Sequence, residues 1–307
     1  MKIESVFFVD NELSIKTDLG NSKVDINNFD INILKDKSFD GYNQFLELKG
    51  LIDLKVGKAL LFGDYWSFIN ASRRTLPRVM SVCLEKQKGF SQYMLLSLDT
   101  KNIVSAVLFN ERVKKILEKN VKTGFFFKKD IRENMLDIDI LDLFVSSVKS
   151  VSNIIDFTVE IGVNFNSSAI NDGEFYCYNN QRFNVTQHME NIFYYINKYD
   201  ICYVENVFVE KDFIYYKEFC ERVKNKCLVC SSFETNCYLL RSTVFFTEAE
   251  LLDLKKKYIN LVVDVFDVDF DINFAVGFGV PIIKVRENVL NVLERIKKQM
   301  TLLPKPI

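Results

Sequence analysis

Beyond Leu76-Pro77 the chain alternates short apolar, β-branched runs with amphipathic runs of helical period, and this alternation restricts the fold more than any other feature. FTVEIGVNF (157–165), ICYVENVF (201–208), KCLVCSSF (226–233), CYLLR (237–241), INLVVDVF (259–266) and VPIIKV (280–285) read as buried strands. DFIYYKEFCERVKNK, TEAELLDLKKKY and ENVLNVLERIKKQM follow three of them as helices. Repeated βα units build a parallel sheet, and periodicity leaves open whether it stays open or closes into a barrel. The opening residues follow another pattern. ESVFFVD and ELSIKTDLG flank Asn11 as a hairpin, and KVDINNFDINIL alternates as a third strand. From Asp40 to about Arg74, Tyr42, Phe45, Leu46, Leu60, Leu61, Trp66 and Phe68 recur at helical spacing, which predicts helices over that small sheet. Residues 1–75 are therefore expected to form a small α+β domain and residues 76–307 an α/β domain.

Charge narrows the partners. Lys+Arg 40 against Asp+Glu 41, with no long run of either sign, gives no electrostatic footprint for nucleic acid or a membrane surface. The first residues lack the apolar run of a signal peptide or membrane span, so a cytoplasmic protein is expected. Its seven cysteines are then expected to be reduced, mostly buried thiols without disulfides. A single histidine, His188, excludes a multi-histidine metal site. Only 11 glycines and 4 prolines in 307 residues predict few loops of special geometry.

Three local features invite a chemical reading and are given a plainer one. Cys227 and Cys230 have C-x-x-C spacing, but they lie in one apolar stretch without a second pair, so they read as buried strand cysteines. His188, near a helix start in NVTQHMENIFYYI, reads as a surface or capping residue. Asp264, Asp267, Asp269 and Asp271 lack the glycine and closing glutamate of a calcium loop, and read as a solvated strand end.

Longer stretches resemble a known family. KYDICYVENVFVEKDFIYYKEFCERVKNKCLVCSSF is similar to the enolase segment in which a strand ends in S-I-E-D-P-F, a helix follows, and the next strand ends in G-D-D-L. Upstream, VEIGVNFNSSAINDGEFYCYN resembles G-x-D-x-A-A-S-E-F-Y, VKTGFFFKKDI resembles G-D-E-G-G-F-A-P-N-I, and LPRVMSVC and FSQYMLL resemble L-P-x-P-x-x-N and Q-E-F-M-I. Downstream, CYLLRSTVFFTEAELLDL resembles L-L-L-K-x-N-Q-I-G and AVGFGVPIIKV resembles A-V-G-x-x-x-x-Q-I-K-T. The matches are collinear from about residue 57 to 300.

The resemblance implies an enolase-like α+β N-terminal domain, residues 1–75, and a modified TIM-type α/β barrel, residues 76–307, with a homodimer as the assembly. It also implies a site at the carboxyl ends of the barrel strands. There the family sets a lysine base, a glutamate acid and magnesium around 2-phosphoglycerate. Carried over, the three metal carboxylates fall on Asn164, Glu205 and Ser231, so Glu205 alone is retained. The acid glutamate falls on Gly124, and the glutamate of Q-E-F-M on Gln92. The base lysine falls on Arg241, whose guanidinium does not release its proton at neutral pH. Lys284 matches the retained lysine that neutralises the substrate carboxylate.

The family's phosphate-binding motif is replaced by Asp264 to Asp267, its Gly- and Ser-rich loop has no counterpart before Gly57, and the link between the fifth and sixth barrel strands is shortened at SSFETNCYLL. The expectation is a pseudoenzyme with a binding or partner role, its ligand a small carboxylate or phosphate held by Lys284 and Arg241. A divergent, magnesium-dependent phosphopyruvate hydratase stays open beside it, as does another lyase or isomerase built on Arg241, Lys284 and Glu205.

Overall fold

The computed structural model describes residues 2–9, 12–17, 20–26, 29–39, 47–48, 51, 77–86, 89–97, 103–120, 136–155, 157, 159–231, 235–240, 253–254, 256–258, 260–266, 268–277, 279–286 and 289–302. The helices expected between Asp40 and Arg74 and most of TEAELLDLKKKY lie outside these. The chain divides into two compact units, one of residues 1–77, 240–283 and 291–307, the other of residues 78–239 and 284–290.

At the amino end, β1 (Ile3–Val9), β2 (Glu12–Thr17) and β3 (Gly20–Asp25) form an antiparallel meander, with Val6 opposite Ile15 and Leu13 opposite Val24. Leu13 and Ile15, two apart on the central strand, share the buried face, as period-two alternation requires. The third strand begins and ends earlier than KVDINNFDINIL predicts. Asp30 accepts a hydrogen bond from the Asn32 amide and turns Ile31–Ile33 into a single 3-10 turn instead.

Further on come β4 (Arg78–Glu85), β5 (Gln92–Ser97), α1 (Ile103–Asn120), α2 (Asp137–Ser152), β6 (Val159–Asn164), α3 (Ser167–Ile170) and the ribbon β7 (Tyr176–Tyr178) with β8 (Gln181–Phe183). They are followed by α4 (Val185–Tyr199), β9 (Ile201–Glu205), α5 (Tyr215–Val223), β10 (Leu228–Ser231) and β11 (Cys237–Leu240). Last are β12 (Asn260–Asp264), α6 (Val268–Gly277), β13 (Ile282–Val285) and α7 (Val289–Leu302). The strands β4-β5-β6-β9-β10-β11-β12-β13 close into a barrel in that order.

Among the described strand pairings, β5 departs from the expected parallel sheet by running antiparallel to both β4 and β6. Residues 86–91 are too few for a crossover, which needs a dozen or more, so β4 and β5 meet as a hairpin. The pairs β6·β9, β9·β10 and β10·β11 are parallel. Between β10 and β11 only residues 232–236 intervene, where a helix ordinarily does the crossing. Asn236 helps to seat that short return: its Oδ1 accepts from the Val229 amide at 2.7 Å and its Nδ2 donates to the Cys227 carbonyl at 3.2 Å.

The hairpin is tied to helix α2 through Asp137. Its Oδ1 accepts from Lys86 Nζ at 2.7 Å and from the Phe90 amide at 3.0 Å, with both charged side chains 7% exposed. Gly89 is needed at this point. Its φ is +72°, and a Cβ there would stand 2.4 Å from Asp137 Oδ1. Gly89→Ala should therefore lower stability by about 2 kcal/mol, the left-handed penalty plus a displaced carboxylate, read as a lower denaturation midpoint at unchanged m-value.

Helix α4 starts at Asn184, whose side chain accepts from the Gln187 amide while the Gln187 side chain accepts from the Asn184 amide. His188 lies one turn in and is not at the surface, contrary to the expectation. It is 0% exposed, stacked on Tyr176 at 3.9 Å, with Nδ1 3.1 Å from the Tyr178 hydroxyl and Nε2 2.8 Å from the Val207 carbonyl. His188 therefore pins the segment that leaves β9. Two members of the aspartate run likewise depart from the solvated strand end expected of them. Asp264 and Asp271 are buried, and Asp271 Oδ2 accepts from the Phe266 amide at 2.8 Å, closing the turn into α6.

Candidate functional site

The register of β4, β5, β6, β9 and β10 collects polar side chains at one rim of the barrel. Gln92 stands opposite Glu85 and Asn164, Asn164 opposite Glu205, and Glu205 opposite Cys230. Cross-strand partners share a face, so these residues form one layer on the inner side. Strand β13 contributes Lys284. Lys284 and Glu205 are each 1% exposed, and Nζ lies 2.7 Å from both carboxylate oxygens.

Glu205 has further donors. Oε1 also accepts from the Tyr203 hydroxyl at 2.7 Å, and Oε2 from Asn164 Nδ2 at 2.9 Å. Burial holds the Tyr203 phenol well above its ordinary pKa, with nearby Glu205 adding to the effect, so the hydroxyl keeps the proton it donates. A buried carboxylate is tolerated where it is paired and hydrogen-bonded, and both conditions are met at Glu205.

Asn164 is oriented by what holds its oxygen. Oδ1 accepts from the Asn166 amide at 3.0 Å and from Asn206 Nδ2 at 3.1 Å, which leaves Nδ2 to face Glu205 and, at 3.3 Å, Gln92 Oε1. Asn166 and Asn206 sit just past their strands with φ of 50° and 49°, a left-handed conformation that asparagine adopts more readily than most residues. Gln92 Nε2 donates to Glu85 Oε1 at 2.7 Å, and Arg286 Nη1 lies 3.6 Å from the same oxygen. A continuous polar chain thus runs Arg286, Glu85, Gln92, Asn164, Glu205, Lys284.

Of the residues expected in the site, the structure brings together Gln92, Asn164, Glu205 and Lys284. Ser231 is placed elsewhere. Cys230 is the cross-strand partner of Glu205, so Ser231 alternates to the outer face, where it hydrogen-bonds Tyr216 of α5. On the inner face Cys230 instead meets Tyr203 and Cys237, its partner on β11. Arg241, Gly124 and Asp267 lie outside the described residues. The sequence reading missed Tyr203, although its position two residues before Glu205 puts it on the same face.

No protein-family model matches the sequence. Among curated proteins, the enolase of Halobacterium salinarum is 26% identical over 133 residues, 43% of this chain and 33% of that enolase. The chain is similar to enolases. The enolase of Archaeoglobus fulgidus is 23% identical over 167 residues, 52% of this chain and 41% of its own length. The matched part therefore spans less than half the length of either enolase. An enolase-like relationship and a mixed α/β structure with an eight-stranded closed barrel agree with each other.

Proposed function

We propose that this chain is an enolase-like pseudoenzyme, its 1–75 and 76–307 segments corresponding to the two domains of the resemblance, that serves in the cytoplasm as a binding or partner protein. The observation that carries the proposal is the internal saturation of Glu205. Four donor contacts from Lys284, Tyr203 and Asn164 occupy its two oxygens.

The residues do not fit magnesium. A hard divalent cation needs several oxygen ligands arranged around it. Here the Asn164 oxygen is held away by two donors, an ammonium stands 2.7 Å from both oxygens of the Glu205 carboxylate, and the inner residue of β10 is a thiol. The other half of the case rests on the sequence alignment, with Gly124 in place of the acid and Arg241 in place of the base. A general acid or base each supplies roughly 100- to 10,000-fold. Losing both leaves little acceleration.

A coupled assay of 2-phosphoglycerate dehydration tests the proposal, and turnover at background is expected with or without added magnesium. Calorimetric titration of the same protein with magnesium should give no stoichiometric binding. Turnover near about 10 per second, the ordinary enzymatic scale, would overturn the proposal and make the chain a divergent phosphopyruvate hydratase.

A further inference from the structure

We propose that the barrel rim is a cation site filled in cis: the ammonium of Lys284 is the permanent occupant of a cradle made by Glu205, Tyr203 and Asn164. The inference deepens the pseudoenzyme reading and rests on it.

The geometry is that of a ligand in a site. Nζ sits 2.7 Å from both carboxylate oxygens, a symmetric placement that matches a bound cation better than a surface ion pair. The remaining lone-pair directions of those oxygens are taken by Tyr203 and Asn164, so the cradle is complete without a further group. Asn164 is fixed from behind by Asn166 and Asn206, which makes its orientation part of the fold and not a response to the lysine.

Charge decides the occupant. Within the cradle the one carboxylate, Glu205, is balanced by the one ammonium, Lys284. A divalent ion at Glu205 would have to expel that ammonium from both oxygens or stand beside it. An anionic metabolite would have to displace Glu205 from Lys284. The cradle instead suits a monovalent, hydrogen-bonding cation, a primary ammonium above all, because Nζ offers donors to both oxygens at once.

Removal and replacement of the occupant test this. The side chain lost in Lys284→Ala corresponds to n-propylammonium. The full-length variant should melt about 5–15 °C below the native protein, since a lone buried charge remains. Propylammonium chloride should restore at least half of that loss, whereas equal concentrations of sodium or tetramethylammonium, which cannot donate, should not. Lys284→Met with Glu205→Gln, which removes both charges and keeps both shapes, should melt within a few degrees of the native protein.

Equal effects of propylammonium and tetramethylammonium would overturn the proposal. So would a double variant as unstable as Lys284→Ala, or a magnesium-dependent rise in the melting temperature of the native protein. If Lys284→Ala does not fold, the double variant decides: a near-native melt supports the filled cradle and a failure to fold overturns it. Turnover of 2-phosphoglycerate would sink the pseudoenzyme reading, whereas absent rescue in an inactive protein sinks this inference alone.

Discussion

Glu205→Ala should lower the stability of the fold by about 3–5 kcal/mol, because truncating one partner of a buried pair leaves the other charge unpaired. Three donors lose their acceptor in this variant: the Lys284 ammonium, the Tyr203 hydroxyl and the Asn164 amide. The ammonium dominates. With 1% exposure it cannot reach water without opening the rim, so its charge stays uncompensated. The deficit should therefore depend on the lysine: Lys284→Met added to Glu205→Ala should recover part of it, whereas a deficit caused by the lost side-chain volume would not change. Denaturant unfolding of the native protein, the single variant and the double variant separates the causes. A double variant no more stable than Glu205→Ala would show that Lys284 is not the stranded charge. Glu205→Gln, which keeps the volume and one acceptor oxygen, should show a smaller loss.

What was legible in the sequence followed the length and clarity of each signal. The apolar runs 157–165, 201–208 and 280–285, which carry Asn164, Glu205 and Lys284, are rich in β-branched residues, and strands lie where they were read, within three residues at each end. Barrel closure was not legible from period-two alternation, since an open sheet has the same alternation. The antiparallel setting of β5 was readable only from the six residues between Glu85 and Gln92.

Site residues divide in the same way. Gln92, Asn164, Glu205 and Lys284 were selected by resemblance and are brought together by strand register. Ser231 was selected by the same alignment, but a one-residue difference in parity on β10 turns Cys230 inward in its place. The Lys86 to Asp137 tie spans 51 residues and has no local pattern that could announce it. His188 did have one. It precedes Met189, Ile192, Ile196 and Tyr199, all buried, so helical spacing put it on the core stripe of α4.

That misread histidine carries the second large effect, an acid sensitivity. Burial pushes the His188 imidazole down from 6.5 to about 4, the contact with the Val207 carbonyl only partly opposing it. Nε2 beside that carbonyl is the donor, and Nδ1 then accepts from Tyr178, so the neutral ring satisfies both neighbours. A second proton would place a positive charge on a ring that is 0% exposed. The folded value lies below the unfolded one, so the unfolded chain binds the proton first and stability falls as pH drops. The loss begins near pH 6.5 and levels off below pH 4, reaching about 3 kcal/mol by linkage. His188→Gln keeps a donor and an acceptor but does not titrate. Carboxylates contribute to both proteins over the same range, so the quantity to measure is the difference between native and variant stability at pH 7 and pH 4. A narrowing of that difference by about 2–3 kcal/mol toward acid is expected. Parallel pH profiles would mean that His188 stays unprotonated in the unfolded chain as well, or is not buried neutral in the folded one, and the pin it provides for the segment leaving β9 would have to be sought elsewhere.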